Sequence, residues 1–343
     1  MIKDEYFNVN DCNNLSLDFG EISNLTDDYY EYEQGQADII VKSRLKKHYN
    51  FWKNIGCYDY ILDTIYNGYR IPFFSTPPSI CLSNNRSAVN HSEFVVEAIH
   101  DLLIKGLIEE CGSKPFVVNP LIVSVSSSNK KRLILDLRHV NLHLWKTSVK
   151  FEDILIAMQF ITNNSYCFKF DLHSAYHHVD IFKSHTDYLG FSWCYGNTVN
   201  YFKFLVLPFG LSSACYIFTK LTRPLVKKWR GEGKQIMMHL DDSIDVHIDL
   251  QVCKTLSDEV RQDLILSGFV LKKEKSMWSP VQQLTILGYF IDTEKHLIYI
   301  PEERLLKVFK TINLIECNLE KFSKVSVRLA ASLVGQICLC RTL

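Results

Sequence analysis

Two adjacent aspartates between apolar runs constrain this chain more than any other feature. Ile236-Met237-Met238-His239-Leu240 leads into Asp241-Asp242, and Ser243-Ile244-Asp245-Val246-His247-Ile248 follows. The pattern predicts two short strands, 236–240 and 243–248, with a tight turn between them that carries both charges. Asp tolerates turn geometry, so the dipeptide alone favours a structural role. Asp171 changes the balance, because it ends another apolar run, 168–171.

The elements around these aspartates can bring them together. Residues 201–207 read as an apolar strand closed by Leu207-Pro208-Phe209-Gly210. Ser212 can cap the next helix, whose apolar face is Ala214, Ile217, Phe218, Leu221 and Leu225. A second helix runs to Gly268 with Leu256, Val260 and Leu264 inward, and 284–290 reads as a hairpin around Gly288. From Tyr166 the order is strand, connection, helix, strand pair, helix, strands, which resembles the split βαβ layout of a ferredoxin-like sheet. There the Asp171 strand and the hairpin can be neighbours. Carboxylates about 4 Å apart repel by roughly 4 kcal/mol at an effective dielectric of about 20. Such a cluster stays ionised only with cations, and hard oxygen ligands suit magnesium. Two such ions can stabilise the attacking and leaving oxygens of a phosphoryl displacement.

Upstream, Asn90 and Glu93 have capping-box spacing ahead of the stripe Phe94, Val95, Ala98, Ile99, Leu102 and Leu103, which Gly106 stops. Residues 121–126 and 132–137 read as a hairpin around a polar turn at 127–130. In 42–52 bases and aromatics interleave (Lys42, Arg44, Lys46, Lys47, Tyr49, Phe51, Trp52), which reads equally as a nucleic-acid contact or an amphipathic surface helix. Pro72, Pro77 and Pro78 mark a connector, and the pattern from Glu302 onward is helical.

Charge is divided unevenly. Residues 1–38 hold ten acids and one base, leaving 28 acids and 37 bases in the other 305 residues. An acidic, Asn-rich segment of about 40 residues is expected to be disordered, and the basic body suits a polyanionic partner. No apolar run reaches 18 residues, and the N-terminus lacks the basic flank and apolar stretch of a secretory signal. Eleven cysteines with no C-x-x-C pair read as free thiols in a reducing compartment. His173 and His177 are four apart, but without H-E-x-x-H a zinc site is disfavoured. Ser212-Ser213 does not form a G-x-S-x-G elbow, which argues against a serine hydrolase.

Six segments in order resemble the reverse transcriptases. They are Leu133-Ile134-Leu135-Asp136-Leu137-Arg138-His139-Val140-Asn141, Phe170-Asp171-Leu172-His173-Ser174-Ala175-Tyr176-His177-His178, Leu207-Pro208-Phe209-Gly210-Leu211, His239-Leu240-Asp241-Asp242, Lys272-Lys273-Glu274-Lys275-Ser276 and Leu287-Gly288-Tyr289. Ile61-Leu62-Asp63-Thr64-Ile65, Asn67-Gly68-Tyr69 and 132–142 are most similar to the DIRS-type, tyrosine-recombinase retrotransposons. The resemblance implies an α+β right-hand polymerase with fingers, palm and thumb and a ferredoxin-like palm. Its expected division is a tail at 1–40, an N-terminal extension at 41–90, fingers at 91–165, a palm at 166–292 with a fingers insertion near 185–204, and a thumb from 293 to 343.

It further implies RNA-directed DNA synthesis from a primer 3′-hydroxyl, with dNTPs, an RNA or DNA template and two Mg2+ ions, for which Mn2+ can substitute. Asp171, Asp241 and Asp242, with the Leu172 carbonyl, would hold metal. Lys275 would donate a proton to pyrophosphate. Lys131 (or Lys130) and Arg132 would grip the triphosphate. Tyr176 would lie under the sugar and exclude a 2′-hydroxyl, with Phe209 and Gly210 lining the nucleotide pocket. His239, Leu287, Gly288 and Tyr289 would support the primer end. His239 departs from the family's usual Tyr or Phe, and Ser174 from a position often acidic in retroviral relatives. The expected context is a longer polyprotein with RNase H and recombinase domains, no membrane span, and a cytoplasmic or nuclear location. The rival readings are a non-catalytic nucleic-acid-binding relic and a domesticated interaction scaffold.

Overall fold

The computed structural model describes residues 39–126 and 129–338. The acidic segment 1–38 and the turn residues Ser127 and Ser128 lie outside the described residues.

A four-stranded antiparallel sheet holds the aspartates. In chain order its strands are Tyr166–Asp171, Ile236–His239, Asp242–His247 and Met277–Val281, with helix Ala214–Gly231 after the first and helix Leu250–Leu266 after the third. In space, Met277–Val281 lies beside Tyr166–Asp171, then comes Asp242–His247, then Ile236–His239. That is the ferredoxin-like arrangement the sequence order implies. The strands read as near-continuous apolar runs because both faces are covered. Phe168, Phe170, Ile236 and Met238 pack in the main core with the helix residues Ile217, Phe218, Leu221, Trp229, Val260 and Leu264. Cys167, Met237, Ile244 and Val246 pack in a second core with Ile154, Ala157, Leu284, Ile286, Tyr289 and Ile291. Alternation along each strand sends successive side chains to these two cores.

A five-stranded sheet in the order Ile80–Cys81, Val117–Asn119, Gly190–Tyr195, Thr198–Phe204, Ile108–Cys111 adjoins this unit, and Leu121–Val125 pairs with Lys131–Leu135 as a separate hairpin. The expected strand at 201–207 therefore starts and ends earlier. Within residues 41–90, Ile80–Cys81 forms an edge of the five-stranded sheet. The interleaved bases and aromatics of 42–52 form two short helices, Arg44–Lys47 and Tyr49–Asn54. Trp52 is fully buried and donates its indole N–H to the Ser267 carbonyl at 2.9 Å, and Arg44 is buried and bonds the Gly268 carbonyl. This face docks on the turn after helix Leu250–Leu266.

Both expected helix caps are replaced. Helix Ser92–Ile104 starts after His91 and has no side-chain cap, because Asn90 instead closes the preceding turn Arg86–Val89. Ser212 does not cap Ala214–Gly231; its N–H donates to Asn141 Oδ1. Asp249 does cap Leu250–Leu266, accepting from the Val252 N–H at 2.9 Å. Helices Glu302–Phe322 and Val327–Cys338 follow the three-stranded sheet Gln283–Ile286, Tyr289–Asp292, Leu297–Tyr299. No helix among the described residues is long and apolar enough to cross a membrane.

Candidate active site

Cross-strand register builds the site. Asp171 ends its strand directly opposite Asp242 on the neighbouring antiparallel strand. Asp241 is the second residue of the two-residue turn between His239 and Asp242, and its carbonyl accepts the Leu172 N–H at 3.2 Å. Three carboxylates separated by 70 positions in the chain thus meet at one sheet end. Leu240, the first turn residue, has a φ of 55°. A two-residue hairpin loop favours Gly there, and a branched side chain in this region costs of order 1–2 kcal/mol.

The electrostatics record the crowding. Burial, then repulsion by Asp241 and Asp171, pushes the Asp242 carboxyl up from the usual range. Burial is also the main cause for Asp241, with Asp171 adding to it. Asp171 is buried, and its Oδ2 accepts from the Lys275 ammonium at 2.7 Å. This bond, together with the neighbouring carboxylates, raises the lysine's own pKa. The strand end is held by the Lys272 N–H on the Asp171 carbonyl at 2.9 Å and by Ser276 Oγ beneath the Asp171 N–H at 3.2 Å.

Three acidic groups under mutual repulsion form an oxygen donor set suited to a hard divalent cation. Lys275 already supplies one positive charge to it. Among the described residues, no three ligating side chains close around a single point in this arrangement.

Tyr176 lies in the short turn Ala175–His178 just beyond Asp171. Its ring packs against Phe209 and Phe218, each at 5.4 Å between centroids. Its hydroxyl is 3.0 Å from Cys215 Sγ, and burial pushes its pKa up. Phe209 is half exposed beside it. Gly210 has a φ of 109°, and a Cβ there would run into the Leu135 carbonyl oxygen. Asn141, in the turn Arg138–Asn141, clamps this loop by donating to the Gly210 carbonyl and accepting from the Ser212 N–H, each at 2.9 Å. The 133–141 motif and the Leu207–Leu211 motif are therefore one physical unit. Sequence reading singled out both without finding the clamp. A lone Asn after an Asp-x-Arg turn was the available signal.

Other expected site residues are placed differently. Lys131 and Arg132 are consecutive on strand Lys131–Leu135, so they face opposite sides. Arg132 is exposed, whereas Lys131 is half-buried with its ammonium 5.8 Å from the Phe94 ring centre. Arg132 is thus the more accessible of the two. His239 is engaged by the Glu152 carbonyl and the Phe151 ring, which fixes it against that segment. Tyr289 is buried in the second core, beneath the adjacent turn. Arg304 holds that turn by donating to the Gly288 carbonyl at 2.9 Å, next to Leu287 at a φ of 48°. His177 and His178 are interior groups. Burial pushes them down to about 4 and about 3, and His178 Nε2 accepts from the Val270 N–H.

Comparison with known proteins agrees with this fold. Residues 121–291 match the reverse transcriptase (RNA-dependent DNA polymerase) family. The retrovirus-related Pol polyprotein from transposon opus of Drosophila melanogaster is 24% identical over 209 residues, covering 60% of this chain and 20% of its own length. The foamy viral protease-reverse transcriptase in complex with dsDNA superposes with a TM-score of 0.61 at 16% identity, over 85% of this chain and 62% of that one. A second foamy viral protease-reverse transcriptase complex with dsDNA gives 0.62 at 16% identity, over 86% and 52%. The chain spans about a fifth of the length of the curated relative. The fold is that of a right-hand polymerase, of mixed α and β structure. Residues 121–291 are a reverse transcriptase domain, in a chain homologous to a retrotransposon Pol polyprotein.

Proposed function

We propose that this chain is the RNA-directed DNA polymerase of a retroelement, extending a primer along an RNA or DNA template. The observation that carries this is the pairing of Asp171 with Asp242 across two strands, with Asp241 in the adjoining turn. Asp171, Asp241, Asp242 and the Leu172 carbonyl would hold two Mg2+ ions, with Mn2+ as a substitute. Bound divalent cations would supply the positive charge that stabilises the attacking and leaving oxygens of phosphoryl transfer.

The chain's own groups do the rest. Arg132 meets triphosphate oxygens with a forked guanidinium. Tyr176 forms a wall beneath the sugar, and Phe209 and Gly210 bound the nucleotide. Lys275 is free to protonate the departing pyrophosphate once it leaves Asp171. Most of the acceleration comes from positioning and charge neutralisation. The resemblance of Asn67-Gly68-Tyr69 and 132–142 supports an element of DIRS type, and a longer polyprotein with RNase H and recombinase domains working in cytoplasm or nucleus.

Single-nucleotide incorporation on an RNA template with a DNA primer tests this reading. With Mg2+ present, dNTP should be added opposite its complement and rNTP much more slowly. Preference for ribonucleotides would refute the assignment of a DNA product. Duplex binding without any incorporation, with Mn2+ also tried, would favour the non-catalytic relic.

A further inference from the structure

Tyr176 is held at three points, and only two of them are rings. Phe209 and Phe218 contact the body of the ring at 5.4 Å, with interplanar angles of 46° and 65°. Such contacts restrict the ring's tilt and leave some freedom to slide, because aromatic pairs have broad minima. The third contact is at the tip, where the hydroxyl lies 3.0 Å from Cys215 Sγ in the first turn of helix Ala214–Gly231. That helix turn is itself fixed, since Ala214 and Ile217 are buried and the preceding Ser212 N–H is bonded to Asn141. Cys215 is half-buried and has no disulfide partner.

We propose that Cys215 is a positioning residue that sets sugar selectivity by holding the tip of the Tyr176 ring. The inference rests on the reading that Tyr176 lies beneath the nucleotide sugar. A wall excludes an extra hydroxyl only as far as it refuses to move. Overpacking is costly where neighbours cannot relax and cheap where they can. The thiol converts a ring that could yield into one anchored to the helix carrying Phe218. One hydrogen bond of ordinary strength corresponds to roughly a two- to tenfold effect. Cys215 touches neither the sugar nor the reacting atoms, so it acts only through Tyr176.

A double-mutant cycle tests it, read as the ratio of kcat/KM for dNTP to that for the matching rNTP on one RNA-templated primer. Cys215→Ala should lower the ratio roughly two- to tenfold, and Cys215→Ser, which keeps a hydrogen-bonding group, should restore most of it. In a Tyr176→Phe background there is no hydroxyl to hold, so Cys215→Ala should then leave the ratio unchanged. An unchanged ratio in Cys215→Ala, or an equal drop with and without the tyrosine hydroxyl, would overturn the proposal. Absence of any incorporation by the wild type would instead overturn the polymerase reading beneath it.

Discussion

Gly210 shows how one residue can join two motifs. Its φ of 109° and the approach of the Leu135 carbonyl leave no place for a side chain. Gly210→Ala combines left-handed strain with overpacking, so it should destabilise the protein by about 2–5 kcal/mol. Thermal unfolding would show this directly, and a melting temperature equal to that of the wild type would contradict it. Asp245 is a residue-scale liability of another kind. It is fully buried, its carboxyl oxygens have no side-chain hydrogen-bond partner among the described residues, and burial pushes its pKa up to about 7 against the pull of Lys234 and the Val246 N–H. A carboxyl whose folded value lies above its unfolded one costs nothing when protonated in both states. The cost grows between about pH 4 and pH 7 and is complete above that. Asp245→Asn should therefore stabilise the protein at pH 8 by up to about 4 kcal/mol, and much less near pH 4.5. Denaturant unfolding at the two values checks the sign; a larger gain at the acidic pH would show that the group is ionised in the fold.

At the scale of elements, the two short N-terminal helices act as a clip on the turn after helix Leu250–Leu266. Trp52 inserts there with its indole bond to Ser267 and an edge contact to Phe269 at 5.9 Å. Trp52→Ala should cost about 3–5 kcal/mol by leaving a cavity. Trp52→Phe should cost about 1 kcal/mol if the bond is the main loss. Urea unfolding of both variants would resolve the difference, and equal costs would show that packing around the ring is not what Trp52 contributes.

These elements also show what could be read in advance. Asp171, Asp241 and Asp242 were legible because each sits where an apolar run meets a turn, and the order of elements dictated a sheet that brings them together. The Trp52 clip was not, since local alternation of bases and aromatics cannot say which face finds a partner over 200 positions away. Gly68 is similar. Its φ of 90° and a hypothetical Cβ 2.7 Å from the Ile181 backbone explain why glycine stands in Asn67-Gly68-Tyr69, but that contact is visible only in three dimensions. The caps expected at Asn90 and Ser212 are not formed: Asn90 ends the preceding helical turn, and the Ser212 N–H is held by Asn141 from a distant segment. That Lys131 and Arg132 leave opposite faces of one strand is likewise invisible in a linear motif.

Over the whole molecule, charge is arranged against the site. The 305 residues after position 38 carry a surplus of about nine bases, and the first 38 nearly cancel it. Removing residues 1–38 should raise affinity for a template–primer duplex several-fold at low ionic strength, with the gain fading near 1 M salt, where the screening length is about 3 Å. Titration by fluorescence anisotropy at several salt concentrations would measure this, and a gain that persists at high salt would exclude an electrostatic cause. The body also contains a paired charge cluster remote from the aspartates. The buried Lys234 bridges Glu232 and Glu259 at 2.7 and 2.8 Å, and Lys228 joins Asp263 at 2.6 Å. At the sheet end the three aspartates are offset by Lys275, which bonds Asp171, and at longer range by Lys272 and Lys169. The most direct measurement is extension of oligo(dT) on poly(rA) with dTTP and Mg2+, comparing the wild type with Asp241→Asn. The account predicts extension by the wild type and a loss of at least about a hundredfold in the variant, as for removal of a group that stabilises transition-state charge. Equal extension by both proteins would contradict it.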